Sequence, residues 1–309
     1  MKFAFFFPGQ GSQSVGMMQG LADILLVRQT FEEASDILGQ DFWSMVTEPN
    51  EALNQTSNTQ PLMLTAGVAT WRAWQSQSSL IPSVMAGHSL GEYTALVASG
   101  ALTFKDALPL VRYRAEVMQN AVAEGVGAMA AILGLDDETV RQVCAEGAQG
   151  EVLEAVNLNS PGQVVIAGNK AAVERGMELA KAKGAKRALA LPVSVPSHCA
   201  LMKPAAEALA GYLQKLPMIA SNIPVIHNAD VLAYNDINQM KDALVRQLYS
   251  PVRWVETVQN AYNKGIVNSA ECGPGKVLAG ITKRIVAELP CISLINIESL
   301  AEAQAQFSA

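Results

Sequence analysis

The chain has 309 residues, 50% of them hydrophobic and 16% charged, enough to bury one large core or a core with an inserted unit. Lys and Arg total 22 against 28 Asp and Glu, and the net charge of −6 argues against nonspecific binding to nucleic acid or to an anionic membrane. No apolar run approaches the roughly 20 residues of a membrane span, and the four cysteines (Cys144, Cys199, Cys272, Cys291) lack the C-x-x-C spacing of a zinc site and the density of a disulfide scaffold. The opening apolar run, residues 1–7, is too short for a signal-peptide core, so a cytoplasmic α/β protein is expected.

The first strand is expected at residues 3–7, an apolar run suited to a sheet buried on both faces. A loop over residues 8–13 follows, then helical sequence through Leu38. Thr59-Gln60-Pro61 opens a helix over residues 62–74, with the proline in its first turn. The strand Val84-Met85-Ala86 runs into Gly87-His88-Ser89-Leu90-Gly91 and a helix over 92–99. Thr103 starts a further helix that passes Arg114 toward Ala121.

Near residues 124–127 the texture changes. Strand 127–134, helix 136–148, strands 152–157 and 163–167, helix 171–183 and strand 186–191 complete a βαββαβ order within about 70 residues, the ferredoxin-like pattern. Residues 124–194 are therefore expected to form a subdomain inserted into a core built from 1–123 and 195–309. That core resumes at Val195-Pro196-Ser197-His198, with a helix at 204–216, a strand at 224–226, a helix at 242–249 and a strand before Glu271.

Gly87-His88-Ser89-Leu90-Gly91 matches G-x-S-x-G in strand–turn–helix context, where a sharp turn presents a serine as nucleophile. A serine hydroxyl needs an imidazole to take its proton. Of the three histidines, His88 is next to Ser89 and diverges from it at a sharp turn, and His227 reads as a loop or core residue. His198, at the exit from the insertion, is the candidate base. Gly9-Gln10-Gly11 fails the dinucleotide pattern because Ser14 holds the third glycine position, and it lacks the Gly-Lys-Ser/Thr of a phosphate loop. It reads instead as a loop whose Gln10 N–H could join that of Leu90 in an oxyanion hole; the plainer alternative is a tight turn.

Arg112 and Arg114 lie on an otherwise apolar helix. An arginine on its inward side calls for an anion, and a substrate carboxylate would accept its fork. Periodicity does not choose between the two. Asp230, Asp242 and Glu271 are weak candidates for an acidic triad member, and a backbone carbonyl can orient a histidine instead.

These residues resemble the malonyl-CoA:acyl carrier protein transacylases, in the free-standing bacterial form. The resemblance rests on Phe7-Pro8-Gly9-Gln10-Gly11-Ser12-Gln13, Thr59-Gln60-Pro61, Gly87-His88-Ser89-Leu90-Gly91-Glu92-Tyr93, Arg114, Asn159-Ser160-Pro161-Gly162-Gln163, Pro196-Ser197-His198, Val245-Arg246-Gln247-Leu248 and Glu271-Cys272-Gly273-Pro274-Gly275, in the family's order. It implies an α/β-hydrolase-like core with a mainly parallel sheet and an inserted ferredoxin-like subdomain. It also implies Ser89 as nucleophile, His198 as base, the Gln247 carbonyl as its orienter, Arg114 as carboxylate clamp, and the N–H groups of Gln10 and Leu90 as oxyanion donors. Ser197 stands where related acyltransferases often carry phenylalanine, as in the free-standing bacterial subtype. The implied activity moves malonyl from malonyl-CoA to acyl carrier protein in fatty acid synthesis, with no metal or cofactor, no nucleic acid or membrane partner, and compatibly with a monomer. Lys181, Lys183, Lys186 and Arg187 form a basic cluster that is either a docking patch for the acidic carrier or an ordinary solvated helix end.

Overall fold

The structure, a computed structural model, describes residues 1–193 and 195–309. Strand β1 (Phe3–Phe7) is buried at every position, and its side chains alternate between two apolar layers. Phe3, Phe5 and Phe7 pack on one face, and Ala4 and Phe6 on the other. This two-residue alternation is what a strand covered on both faces requires.

Helices α1 (Leu25–Leu38), α2 (Phe42–Thr47) and α3 (Thr56–Gln77) follow. The third begins six residues before the expected start, which leaves Pro61 inside the helix rather than in its first turn. The N–H groups of Asn58 and Thr59 already bond the Gln55 carbonyl, and the Thr59 hydroxyl caps Leu53 O at 2.7 Å. Burial of residues 58–66 outweighs the one backbone bond that proline removes.

Strand β2 (Val84–Gly87) feeds α4 (Gly91–Ala98), and α5 (Phe104–Asn120) is capped by the Thr103 hydroxyl, which accepts from Asp106 N. Next come β3 (Gly127–Leu133), α6 (Asp137–Ala148), β4 (Leu153–Ser160), β5 (Gln163–Asn169), α7 (Lys170–Ala182) and β6 (Arg187–Ala190). The chain continues through α8 (Lys203–Lys215), β7 (Val225–Ile226), α9 (Ile237–Gln247), α10 (Trp254–Asn263), β8 (Asn268–Glu271), α11 (Val277–Ile285), β9 (Cys291–Ser293) and α12 (Ile297–Ser308). Helix α9 starts five residues earlier than expected, because the Asp236 carboxylate accepts from Gln239 N and sets the N-terminus there.

Two sheets result. The first, in the order β7-β2-β1-β8-β9, is parallel throughout. The second, β4-β5-β3-β6, is antiparallel, with its two long helices packed over its own apolar cluster. Its strand order is the ferredoxin-like one. Strand β4 carries register shifts at Ala155/Asn157 and Leu158/Ser160, and between them it bonds the segment at Val252: Leu158 N donates to Val252 O and Val252 N donates to Val156 O. Such bulges re-aim side chains, and Asn159, inside the second of them, reaches His88 just beyond β2. Among the described residues no helix is long and apolar enough to cross a membrane.

Candidate active site

The turn after β2 is an elbow. Ser89 has φ 51°, a left-handed conformation that a non-glycine residue adopts only when its surroundings impose it. The flanking glycines permit the crowding. A Cβ on Gly87 would lie 1.9 Å from the carbonyl of Gly91, and one on Gly91 would lie 2.0 Å from Phe7 O. The elbow is also pinned from outside, since Asn228 Oδ1 accepts from Ser89 N at 2.8 Å and Asn228 Nδ2 donates to Gly87 O at 2.7 Å.

His198 reaches the serine from 109 residues away in sequence, with Nε2 2.8 Å from Ser89 Oγ. Its own backbone is left-handed (φ 67°) and tied to Leu248 O by its N–H. Nδ1 lies 2.8 Å from the main-chain oxygen of Gln247. A carbonyl only accepts, so Nδ1 carries the proton and Nε2 is left to accept from the serine hydroxyl. Burial, with Arg114 adding to it, pushes the His198 pKa down to about 3, and the Gln247 carbonyl opposes that shift. The imidazole is held neutral and ready to take a proton.

Arg114, on α5, is only 1% exposed. Nη1 donates to Gln60 Oε1 at 2.8 Å, while Nη2 donates to Gln247 Oε1 at 2.9 Å and to Ser89 Oγ at 3.3 Å. The Tyr93 ring lies 5.2 Å below the guanidinium, within cation–π range. Burial lowers the Arg114 pKa from the ordinary arginine value. None of these bonds goes to a carboxylate. Arg112, which periodicity leaves equally possible, points to Gln40 instead.

Gln10 and Leu90 line a cavity of about 140 Å³ together with Gln60, Ser89, Arg114 and His198. Among the described residues, no acceptor takes the backbone N–H of either Gln10 or Leu90. All six expected site residues therefore converge: five line this cavity, and Gln247 lies directly behind His198 and Arg114.

The weak acidic candidates lie elsewhere. Asp230 and Asp242 both bond Arg246, and Glu271 accepts from Ala279 N. Four contributors receive no role in the sequence reading. Gln60 holds Arg114, Asn228 pins the elbow, and Asn159 of β4 bonds His88 Nε2 at 2.8 Å. Glu92, fully buried, bonds His227 Nδ1, Asn228 N and Gln247 Nε2. The available signal was adjacency: Asn228 follows a histidine, and Glu92 lies three residues after the serine. In the basic cluster, Lys181 pairs with Glu178 and Lys183 with Glu146.

The chain matches the acyl transferase domain family over residues 4–295. It is 54% identical to the malonyl CoA-acyl carrier protein transacylase of Salmonella typhimurium over 307 residues, 99% of each protein. The transacylase of Bacillus subtilis is 43% identical, covering 97% of this chain and 95% of that protein. Among solved structures, an acyl-carrier-protein S-malonyltransferase from Burkholderia pseudomallei superposes with a TM-score of 0.97 at 58% identity, covering 99% of this chain and 100% of that one. A malonyl-transacylase solved in complex with its type II PKS acyl-carrier protein gives a TM-score of 0.97 at 52% identity, with the same coverage. The chain is an acyltransferase and belongs to the family of malonyl CoA-acyl carrier protein transacylases.

Proposed function

We propose that this chain moves a malonyl group from malonyl-CoA to the phosphopantetheine thiol of an acyl carrier protein, through an ester on Ser89. One observation carries the reading: a fully buried arginine beside the nucleophile, bonded only to neutral oxygens. A buried cation without a counter-ion is costly, and a carboxylate on the acyl group supplies one.

In the first half-reaction His198 Nε2 takes the proton of Ser89 Oγ as the oxygen attacks the thioester carbon. The tetrahedral oxyanion is received by the N–H groups of Gln10 and Leu90, and the imidazolium is stabilised by the Gln247 carbonyl at Nδ1. The C–S bond breaks, and His198 returns its proton to the CoA sulfur. In the second half the carrier's thiol gives its proton to His198 and its sulfur attacks the malonyl ester. Collapse then releases Ser89, which recovers the proton. Serine, imidazole and backbone N–H groups handle the charge that develops at the reacting carbon and Arg114 the carboxylate, so the reading includes no metal or redox cofactor.

The same reading includes a cytoplasmic location and an inserted unit. Residues 124–194 are taken as a subdomain between the two parts of the core, supported by their separate antiparallel sheet and its own apolar cluster. The last residue of that range, 194, lies outside the described residues.

The test is intact-mass analysis after mixing with malonyl-CoA, followed by addition of carrier protein bearing its pantetheine arm. A malonyl adduct is expected that Ser89→Ala abolishes and that discharges onto the carrier. Discharge mainly to water would instead make the protein a thioesterase, and no adduct would make it a noncatalytic carrier-binding protein.

A further inference from the structure

Glu92 is 0% exposed and, among the described residues, forms no ion pair with a lysine or arginine; its carboxylate bonds inside the site. Oε1 lies 2.7 Å from His227 Nδ1. Oε2 accepts from Asn228 N and from Gln247 Nε2, both at 2.9 Å. Gln247 Nε2 also donates to Ser89 O at 2.9 Å, while Gln247 Oε1 accepts from Arg114 at 2.9 Å.

These contacts give the Gln247 carboxamide a polarity. Its nitrogen faces two acceptors, Glu92 Oε2 and Ser89 O, and its oxygen faces the Arg114 guanidinium, which only donates. In the flipped orientation the amide NH2 would meet the guanidinium and the amide oxygen would meet two other oxygens. All three contacts would turn repulsive. Glu92 and Ser89 O hold the amide from one side, and Arg114 reads it from the other.

We infer that Glu92 is a positioning residue for acyl-group recognition: it locks the Gln247 carboxamide, and through that amide it aims Arg114 at the substrate carboxylate. The arrangement keeps a protein carboxylate one amide away from the guanidinium. Arg114 is thereby oriented without being occupied, and its remaining capacity is open to the malonyl group. The same carboxylate anchors Asn228, whose side chain grips both sides of the elbow. One buried acid thus ties the nucleophile's turn to the clamp.

This inference rests on the malonyl-transfer reading above, and its test separates the two. Glu92→Asp keeps the charge but withdraws the carboxylate by one methylene, out of reach of Gln247. Glu92→Gln removes the charge but keeps an acceptor oxygen at the same reach, and His227 can change tautomer to suit the new amide nitrogen. The measurement is the ratio of malonyl to acetyl loading on Ser89, read by intact mass at matched times. Glu92→Asp should lower that ratio at least tenfold, and Glu92→Gln should leave it within about threefold of the wild type. In an Arg114→Ala background Glu92→Asp should leave the ratio unmoved, because the element it acts on is gone.

A ratio unchanged in folded Glu92→Asp overturns the inference, as does an equal loss in Glu92→Gln, which would make the charge and not the reach decisive. If Glu92→Asp does not fold, Gln247→Leu takes its place, since it removes the amide and keeps the carbonyl that holds His198. It must lower the ratio to the same degree, and an unchanged ratio there overturns the inference. Failure of the malonyl-transfer reading is distinct: Arg114→Ala alone would then leave the wild-type ratio unchanged.

Discussion

Arg114 Nη2 donates to Ser89 Oγ across 3.3 Å, and the other hydrogen bonds of this buried guanidinium go to the amide oxygens of Gln60 and Gln247. On the proposed reading the nucleophile and the clamp are thus parts of one constellation, and a malonyl group bound to the arginine would bring its thioester carbon beside the serine. Removing one partner of a buried ion pair costs about 3–5 kcal/mol, which corresponds to a hundredfold or more. Arg114→Ala should therefore slow malonyl loading by about two orders of magnitude or more. Acetyl, which has no carboxylate to lose, should change by less than about tenfold. Quenched-flow intact-mass time courses with the two CoA esters measure this, and equal losses would remove Arg114 from acyl-group recognition.

The depressed pKa of His198 makes two predictions about pH. With His198 as the proposed base, catalysis needs the neutral imidazole, which persists down to about pH 3 because burial and Arg114 oppose its protonation. Single-turnover loading should accordingly keep its rate well below pH 6.5, and an acid limb centred at the ordinary histidine value would overturn the assignment. Stability moves the other way on acidification. Between the unfolded value of 6.5 and about 3, the unfolded chain binds a proton at this position that the folded chain refuses, so stability falls as pH falls through that window. His88, also lowered by burial, acts with the same sign. In His198→Gln the decline of Tm with acid should be shallower than in the wild type over this range, as differential scanning calorimetry can follow.

The glycines of the elbow give a prediction about backbone rather than side chains. Gly91 sits where an added Cβ would press to 2.0 Å from Phe7 O, a backbone atom fixed in the centre of the parallel sheet. Neither side can retreat without separating α4 from β1. Gly91→Ala should destabilise the protein by about 3 kcal/mol, at or above the upper end of the usual range for overpacking. It should also abolish Ser89 acylation. Urea unfolding gives the first quantity and the mass assay the second; wild-type acylation in the variant would contradict the elbow geometry.

Much of this site was legible in the sequence, for reasons specific to each residue. Ser89 is announced by its strained turn, which demands glycine at fixed offsets, and β1 by an unbroken apolar run. The ferredoxin-like order is readable because each of its helices and strands carries a clear change of period. What escaped has a physical cause too. Gln60, Asn159 and Asn228 act through side-chain amide hydrogen bonds formed only when distant segments meet, and no local periodicity assigns them that use. Glu92 looks like a first-turn acid of α4, where the helix dipole already favours a carboxylate; only burial reveals its second use. The choice between Arg112 and Arg114 turned on which side of α5 faces Ser89. That is decided by packing against α3 and not by the helix's own periodicity.

A carrier-docking role for the basic cluster at the end of α7 would rest on two residues rather than four. Lys181 and Lys183 are each held by a glutamate, at 2.8 Å and 2.7 Å, so their charge is partly cancelled at short range. Lys186 and Arg187 are exposed, and no ion pair holds them among the described residues. Lys186 precedes β6 and Arg187 opens it, and the far end of that strand adjoins the Leu191 and Val193 that line the cavity. An acidic carrier gathered there would lie near the chain segment that borders Ser89. Charge reversal at Lys186 and Arg187 together should raise KM for carrier protein several-fold, with the effect shrinking as salt is added. Loading from malonyl-CoA should stay unchanged, since neither residue touches the cavity. The same reversal at Lys181 and Lys183 should have a smaller effect, because it replaces a paired charge and mainly disturbs two surface bridges. Transfer kinetics indifferent to Lys186 and Arg187 would place the carrier on another face of the protein.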